Sequence, residues 1–192
     1  MTAAAPRTRR DWGRACLGVA VGLGPGLFTG MRVGIATGKT LAQSLGIPIV
    51  GVASLDVVAF AVRHTRRLVC AAVDARRGEL FFAFYRPVPG GVVRETGFLT
   101  GSPDALSAEL EARREDILLV GNGGLVYRQH LEGLEHVELG SPGLAYPSAS
   151  ALVELAIPRF LREDFDRLHD VQPIYLRKAD AEIAWDQRRG AG

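Results

Sequence analysis

Two stretches of the chain hold residue types able to do chemistry. Asp74, Arg76 and Glu79 fall together with Arg77 and Gly78. Carboxylates and guanidiniums that close can hold a phosphate or move a proton, or they can form local ion pairs in a solvated turn, which contribute little. The second stretch is Gly24, Pro25 and Gly26, followed by Phe28, Thr29 and Gly30. A glycine loop ahead of a helix presents backbone amides and a helix dipole, both of which favour an anion.

Several familiar chemistries fail on spacing. A P-loop would need glycine where Val33 stands before Gly38-Lys39-Thr40, and those three residues fall inside a predicted helix rather than at its start. The dinucleotide fingerprint would need glycines two and then three apart, whereas Gly24, Gly26 and Gly30 are two and four apart with Pro25 between them. His64, His130, His136 and His169 are the 4 histidines, and no two of them have the helical spacing of a zinc peptidase. No Gly-x-Ser-x-Gly elbow is present either. These residues therefore predict no metal and no cofactor.

The elements that must position both stretches follow from hydrophobic pattern and punctuation. Cys16 to Gly22 reads as a short buried strand, Leu23 to Thr29 as a loop, and Gly30 to Leu45 as a helix ended by Gly46 and Pro48. Ile49 to Val52 is a strand, and a helix capped at or beside Ser54 runs through Val62 to a break at Arg66 and Arg67. Leu68 to Val73 and Glu79 to Tyr85 form a hairpin around Asp74 to Gly78, and Val92 to Leu99 adds a third strand. Ser102-Pro103-Asp104 starts a helix through Leu106 and Leu110. Ile117 to Val120 is a buried strand ending in Gly121-Asn-Gly-Gly124, and Ser148 to Leu161 is a last helix bent at Pro158. From Leu68 the order is strand, strand, strand, helix, strand, helix, that of a ribonuclease-H-like unit.

In the first long helix Gly30, Gly34, Gly38 and Ala42 recur every four residues. Interior glycine costs a helix up to about 1 kcal/mol against alanine, so the repeat predicts close approach of another backbone. That backbone is either the chain's own sheet or a partner helix, and spacing does not choose between them.

Composition bounds the rest. With 47% hydrophobic and 23% charged residues the chain is an ordinary globular one, and its net charge of +2 gives no field strong enough to imply nucleic-acid binding. Arg7, Arg9, Arg10, Arg14, Arg188 and Arg189 cluster toward the ends and read as solvated tails. Cys16 and Cys70 each sit in an apolar run, as free buried thiols in a reducing cytoplasm would. No apolar stretch approaches the roughly 20 residues of a membrane span, and the run Ala15 to Val21 leads into a turn and helix instead of an export cleavage site.

Three motifs carry a family resemblance. Gly24-Pro-Gly-Leu-Phe-Thr-Gly-Met-Arg-Val-Gly34 resembles the glycine-loop signature of TsaB (YeaZ) proteins, with Leu27 where serine or proline is usual. Asp74-Ala-Arg-Arg-Gly-Glu79 resembles that family's hairpin, and Pro173-Ile-Tyr-Leu-Arg177 with Ala179-Asp180 resembles its C-terminal stretch. The three lie in the family's order between Cys16 and Trp185.

The resemblance implies an α/β fold of the actin-like ATPase superfamily, built from two ribonuclease-H-like lobes. Residues 1–15 would be a basic lead, 16–66 the remainder of a first lobe, and 67–192 the second lobe with a C-terminal tail. Family members carry a further strand, meander and helix ahead of the glycine loop, so the first lobe is expected to be incomplete here. The resemblance also implies a function: a non-catalytic cytoplasmic subunit that binds the transferase TsaD and, with the ATPase TsaE, supports threonylcarbamoyl transfer to tRNA adenosine. Contact with TsaD or with a second copy would use the helix after the glycine loop, through Gly30, Met31, Gly34, Ile35, Gly38 and Ala42, and tRNA would be met only through the complex. The enzyme alternative is an ATP-dependent phosphotransferase of the same superfamily, in which the hairpin of Asp74, Arg76, Gly78 and Glu79 would lie against phosphate.

Overall fold

A computed structural model describes residues 18–176. Cys16, the terminal arginine clusters, and Arg177, Ala179 and Asp180 of the third motif lie outside the described residues.

Strand β1 (Val19–Gly22) pairs in parallel with β2 (Ile49–Val52), and helix α1 (Phe28–Leu45) makes the crossover between them. The helix starts two residues before the position predicted from sequence. Its N-cap is Leu27, whose side chain makes no capping bond, so nothing in the residue types marks the start. Gly46 ends it in the left-handed conformation (φ 66°), with its N–H on the Ala42 carbonyl. Helix α2 (Ser54–Phe60) follows, capped at Ala53 and shorter than predicted.

The second sheet runs β5 (Gly91–Arg94), β4 (Glu79–Val88), β3 (Leu68–Arg76), β7 (Ile117–Val120) and β8 (Val137–Leu139). Strands β3 (Leu68–Arg76) and β4 (Glu79–Val88) form an antiparallel hairpin with a register shift between Asp74 and Arg76. The predicted third strand is two pieces, β5 (Gly91–Arg94) and β6 (Leu99–Gly101), both on β4. Between them Thr96 Oγ1 accepts the Phe84 N–H at 3.1 Å, so a side chain stands in for the ladder carbonyl and interrupts the strand. Helix α3 (Pro103–Ala112), capped by Ser102, leads to β7 (Ile117–Val120), which lies parallel to β3. A short α4 (Asn122–Val126) and β8 (Val137–Leu139) complete the sheet. This is the strand order of a ribonuclease-H-like unit.

Two apolar layers cover the faces of this sheet. One holds Val69, Ala71, Phe81, Ala83 and Tyr85 with Leu55 and Val58 of α2; the other holds Cys70, Leu80, Phe82 and Phe84 with Leu106 and Leu110 of α3. Alternate residues of β3 thus point to opposite layers, and each large side chain withdrawn from water contributes about 1.5–3 kcal/mol. Burial pushes the Cys70 thiol pKa well up, so it stays a neutral core group.

Helix α5 (Ala149–Leu161), capped by Ser148, does not stay on the second sheet. It packs on β1, β2 and α2. Beyond it Asp166 Oδ2 accepts the Gly51 N–H at 2.7 Å, Arg159 binds Asp166 at 3.0 Å, and Val171 enters the core under α1. Sequence after residue 148 is therefore continuous with the second sheet and packed on the first. No helix among the described residues is long and apolar enough to cross a membrane.

Candidate functional site

The glycine loop is held from three sides. The Leu23 N–H reaches the Val52 carbonyl at 2.8 Å, the Ser54 N–H reaches the Gly24 carbonyl at 2.6 Å, and the Ile174 N–H reaches the Leu23 carbonyl at 2.8 Å. The Gly24–Pro25 peptide is cis. A Cβ at Gly24 would overlap the Met31 sulfur, so Met31 is partly turned inward over the loop. Gly26 meets nothing within 4 Å.

The small-residue repeat of α1 does not face one way. Four residues turn a helix about 400°, so each step of the repeat walks about 40° around it, and Gly30 and Ala42 end about 120° apart. A Cβ at Gly38 would meet Val21 at 3.4 Å, and Ala42 and Ile35 are buried with Val21, Ile49 and Val171. The chain's own sheet claims these residues, so Ile35, Gly38 and Ala42 do not belong to a partner-facing surface in this fold. Gly30 and Gly34 are exposed and meet nothing within 4 Å. Around them the outward face carries Thr29, Val33, Ala36, Thr37 and Leu41. Val33 is 62% and Leu41 48% exposed, and neighbouring Leu27 is 56% exposed.

One flank of this face is polar and ordered. The Arg32 guanidinium lies 3.9 Å over the Phe28 ring, its Nε donates to the Tyr175 hydroxyl at 2.7 Å, and the two rings are 5.3 Å apart. Tyr175 belongs to the third sequence motif, and its contact with the first motif was not readable from either alone.

The hairpin is built differently. Asp74 Oδ1 accepts the Arg76 N–H at 2.9 Å and the Tyr127 hydroxyl at 3.0 Å, while its own N–H donates to Asn122 Oδ1 at 3.0 Å. Its side chain is 8% exposed, with the Arg76 Nε 3.7 Å away. Arg76 and Arg77 both adopt positive φ (67° and 57°), which an L-residue does at a cost of about 1 kcal/mol or more. The Asp74 carboxylate and Tyr127 hold the turn in that state. Desolvation, then the bond to Asp74, raises the Tyr127 pKa, so the phenol remains a donor. Asn122 is placed by the glycines beside it: Gly121 (φ 96°) has no room for a Cβ against the Ala72 carbonyl, and a Cβ at Gly123 would lie 3.0 Å from the Ala72 carbonyl carbon. Glu79 pairs with Arg76 across the turn in the ladder.

The two predicted stretches are thus distinct places, one an open helix face and one a locked turn. Of the histidines, His130 meets Asp104 at 2.9 Å, His136 meets the Leu110 carbonyl at 3.0 Å, and His169 meets Asp170 at 3.1 Å. No group of three or more metal-ligating side chains gathers among the described residues.

Comparison with known proteins places the fold. The family model for TsaD, tRNA N6-adenosine threonylcarbamoyltransferase, matches residues 14–185. A Bacillus subtilis protein named tRNA threonylcarbamoyladenosine biosynthesis protein TsaB is 30% identical over 173 residues, covering 87% of this chain and 72% of the relative. The chain belongs to the TsaB (YeaZ) family. TsaB of Haemophilus influenzae is 29% identical over 182 residues, covering 90% of this chain and 73% of its own length. Among solved structures, YeaZ from Pseudomonas aeruginosa superposes with a TM-score of 0.68 at 26% identity, over 81% of this chain and 71% of that one. Another Pseudomonas aeruginosa crystal structure, described as similar to peptidase YEAZ, matches with a TM-score of 0.69, also at 26% identity and over the same shares of both chains. The actin-like α/β fold of TsaB proteins is therefore the fold of this chain.

Proposed function

We propose that this TsaB-family chain is an accessory subunit of tRNA threonylcarbamoyladenosine synthesis, acting in the cytoplasm by binding a TsaD-like transferase. The single observation behind this reading is the outward face of α1, where Gly30 and Gly34 leave open backbone among exposed Val33 and Leu41. Exposed small residues on a helix let another helix approach closely, and the apolar side chains beside them supply area to bury. A TsaE-like ATPase joins the transferase in this reading, tRNA is met through the complex, and a second copy can occupy the same face when the transferase is absent. Residues 16–66 supply first-lobe sequence and 67–192 the second lobe, whose last helix returns to the first sheet.

The subunit is proposed to be non-catalytic. Asp74, the strongest candidate for a chemical role in the hairpin, spends its carboxylate on Arg76 and Tyr127 within the fold, which counts against the phosphotransferase alternative.

The test is reconstitution. The chain alone should transfer no threonylcarbamoyl to tRNA, while adding it to a TsaD-like and a TsaE-like subunit should raise modification well above the level without it. Turnover by the purified chain alone, or full activity of the other subunits without it, would overturn the reading. Measurable ATP affinity and phosphotransfer by the chain alone would favour the alternative.

A further inference from the structure

Arg32 is oriented but has no counter-ion among the described residues. Its guanidinium stacks on Phe28 at 3.9 Å and its Nε is committed to the Tyr175 hydroxyl at 2.7 Å. Among the described residues no carboxylate lies within ion-pair distance of it, and its two terminal nitrogens make no hydrogen bond. The stacking and the Nε bond fix the guanidinium plane, so the rotamer freedom that ordinarily opposes a long side chain's ion pair is already lost before any partner arrives.

Its setting is specific. Within α1 the only charged residues are Arg32 and Lys39, and Lys39 is turned to the Val171 carbonyl at 3.3 Å. The rest of the outward face, from Thr29 through Val33 and Ala36 to Leu41, is small or apolar. Arg32 is therefore the single exposed cation on the flank of an otherwise uncharged helix face. Arginine and tyrosine held this way are the residue types that anchor interfaces.

We infer that Arg32, pre-set by Phe28 and Tyr175, is a specificity anchor that takes a carboxylate from the protein docked on the α1 face. This rests on the proposed docking of a TsaD-like subunit there and names the chemistry that the subunit must present. A second copy of this chain fits less well. A two-fold contact of α1 with α1 would offer Arg32 only another Arg32 and Lys39, because the helix contains no aspartate or glutamate. An RNA backbone also fits less well, since a phosphate ladder would lie against Val33 and Leu41 with no second exposed cation on the helix to neutralise it.

The experiment measures affinity of the full chain for the TsaD-like subunit, with variants Arg32→Gln, Arg32→Lys, Tyr175→Phe and Gly34→Leu, each checked for an unchanged melting curve. Arg32→Gln should weaken binding about tenfold or more, Arg32→Lys should fail to restore it because lysine lacks the planar fork, and Tyr175→Phe should weaken it several-fold. A further variant, Arg32→Glu, should lose binding and regain it with a glutamate- or aspartate-to-lysine change on the transferase. If the unaltered chain does not bind the transferase, the docking reading fails and this inference with it. If it binds and Gly34→Leu abolishes binding while Arg32→Gln leaves it within twofold, the face is right and the anchor is wrong. A loss of tRNA retention with unchanged transferase affinity, or a loss reproduced by Asp180→Asn with Glu182→Gln in this chain's own tail, would equally overturn it.

Discussion

The Tyr85 hydroxyl, at the end of a side chain that is 1% exposed, donates to Asp56 Oδ1 at 2.8 Å and so ties the second sheet to α2. Arg94 approaches the same oxygen at 3.4 Å from β5, with its guanidinium 4.0 Å over Phe98. Burial raises the Asp56 pKa above its ordinary value, while the Tyr85 bond and the Arg94 charge pull it back. Because the net shift is upward, the folded chain holds this proton more tightly than the unfolded chain. The stability Asp56 contributes is thus greatest below its ordinary pKa and falls as pH rises through the raised value. Tyr85→Phe should move the carboxyl further up and cost about 1–2 kcal/mol near neutral pH, with a smaller cost in acid, where the carboxyl is protonated. Carboxyl-carbon titration by NMR together with melting curves at acid and neutral pH checks this. An equal loss at both would show that the carboxylate is not the group left unsatisfied.

In the hairpin, Asp74→Ala should cost about 2–4 kcal/mol, because it removes the acceptor for both the Arg76 N–H and the Tyr127 hydroxyl and releases a turn held at positive φ. Tyr127→Phe should cost about 1 kcal/mol and lower the melting temperature in the same direction. Chemical denaturation of both variants decides the matter. Unchanged stability of Asp74→Ala with abolished complex activity would assign the carboxylate to chemistry instead of architecture.

Glycines of two kinds should respond in opposite ways. Gly34→Ala meets nothing within 4 Å and should stabilise the isolated chain by up to about 1 kcal/mol through helix propensity. Gly121→Ala places a Cβ into the Ala72 carbonyl at φ 96° and should destabilise by about 3 kcal/mol or more. Melting curves of the two variants should shift to opposite sides of the unaltered chain.

A larger side chain at Gly34 separates stability from assembly. Gly34→Leu should leave the melting temperature nearly unchanged while reducing co-purification with a TsaD-like subunit at least severalfold, since the added bulk projects into open space in the free chain. If folding suffers and co-purification of the folded fraction does not, the outward face has no partner.

How far the sequence reached can be judged element by element. The β3–β4 hairpin was legible because its apolar runs are separated by a turn-forming segment, and α3 because Ser102 and Pro103 announce its cap and first turn. The start of α1 was not legible, since Leu27 caps it without a side-chain bond. The four-residue repeat misled about α1's faces because a period of four drifts against a turn of 3.6, which carries Gly38 and Ala42 into the core. Strand β8 was missed because its three residues, Val137, Glu138 and Leu139, preceded by Glu135 and His136, carry too little apolar pattern to register. At the hairpin the sequence marked Asp74 and Arg76 but not Asn122 or Tyr127, whose roles exist only once the β7–α4 loop crosses the backbone of β3. On α1 it could not foresee that Tyr175 would meet Arg32, because chain proximity across so long a separation has no local signature.

The bond between the Leu23 carbonyl and the Ile174 N–H, with Val171 seated under α1, has a consequence for how the chain is made. During synthesis the hairpin unit from Leu68 to Leu139 emerges with its layers nearly complete, since its ladder partners and α3 are close in sequence. The first sheet emerges earlier but waits longest, because the residues that cover α1 and β2 are the last described ones to leave the ribosome. The first sheet is therefore expected to reach its native packing after the second, since Asp166, Val171 and Ile174, which pack on it, follow the strands of both sheets in the chain.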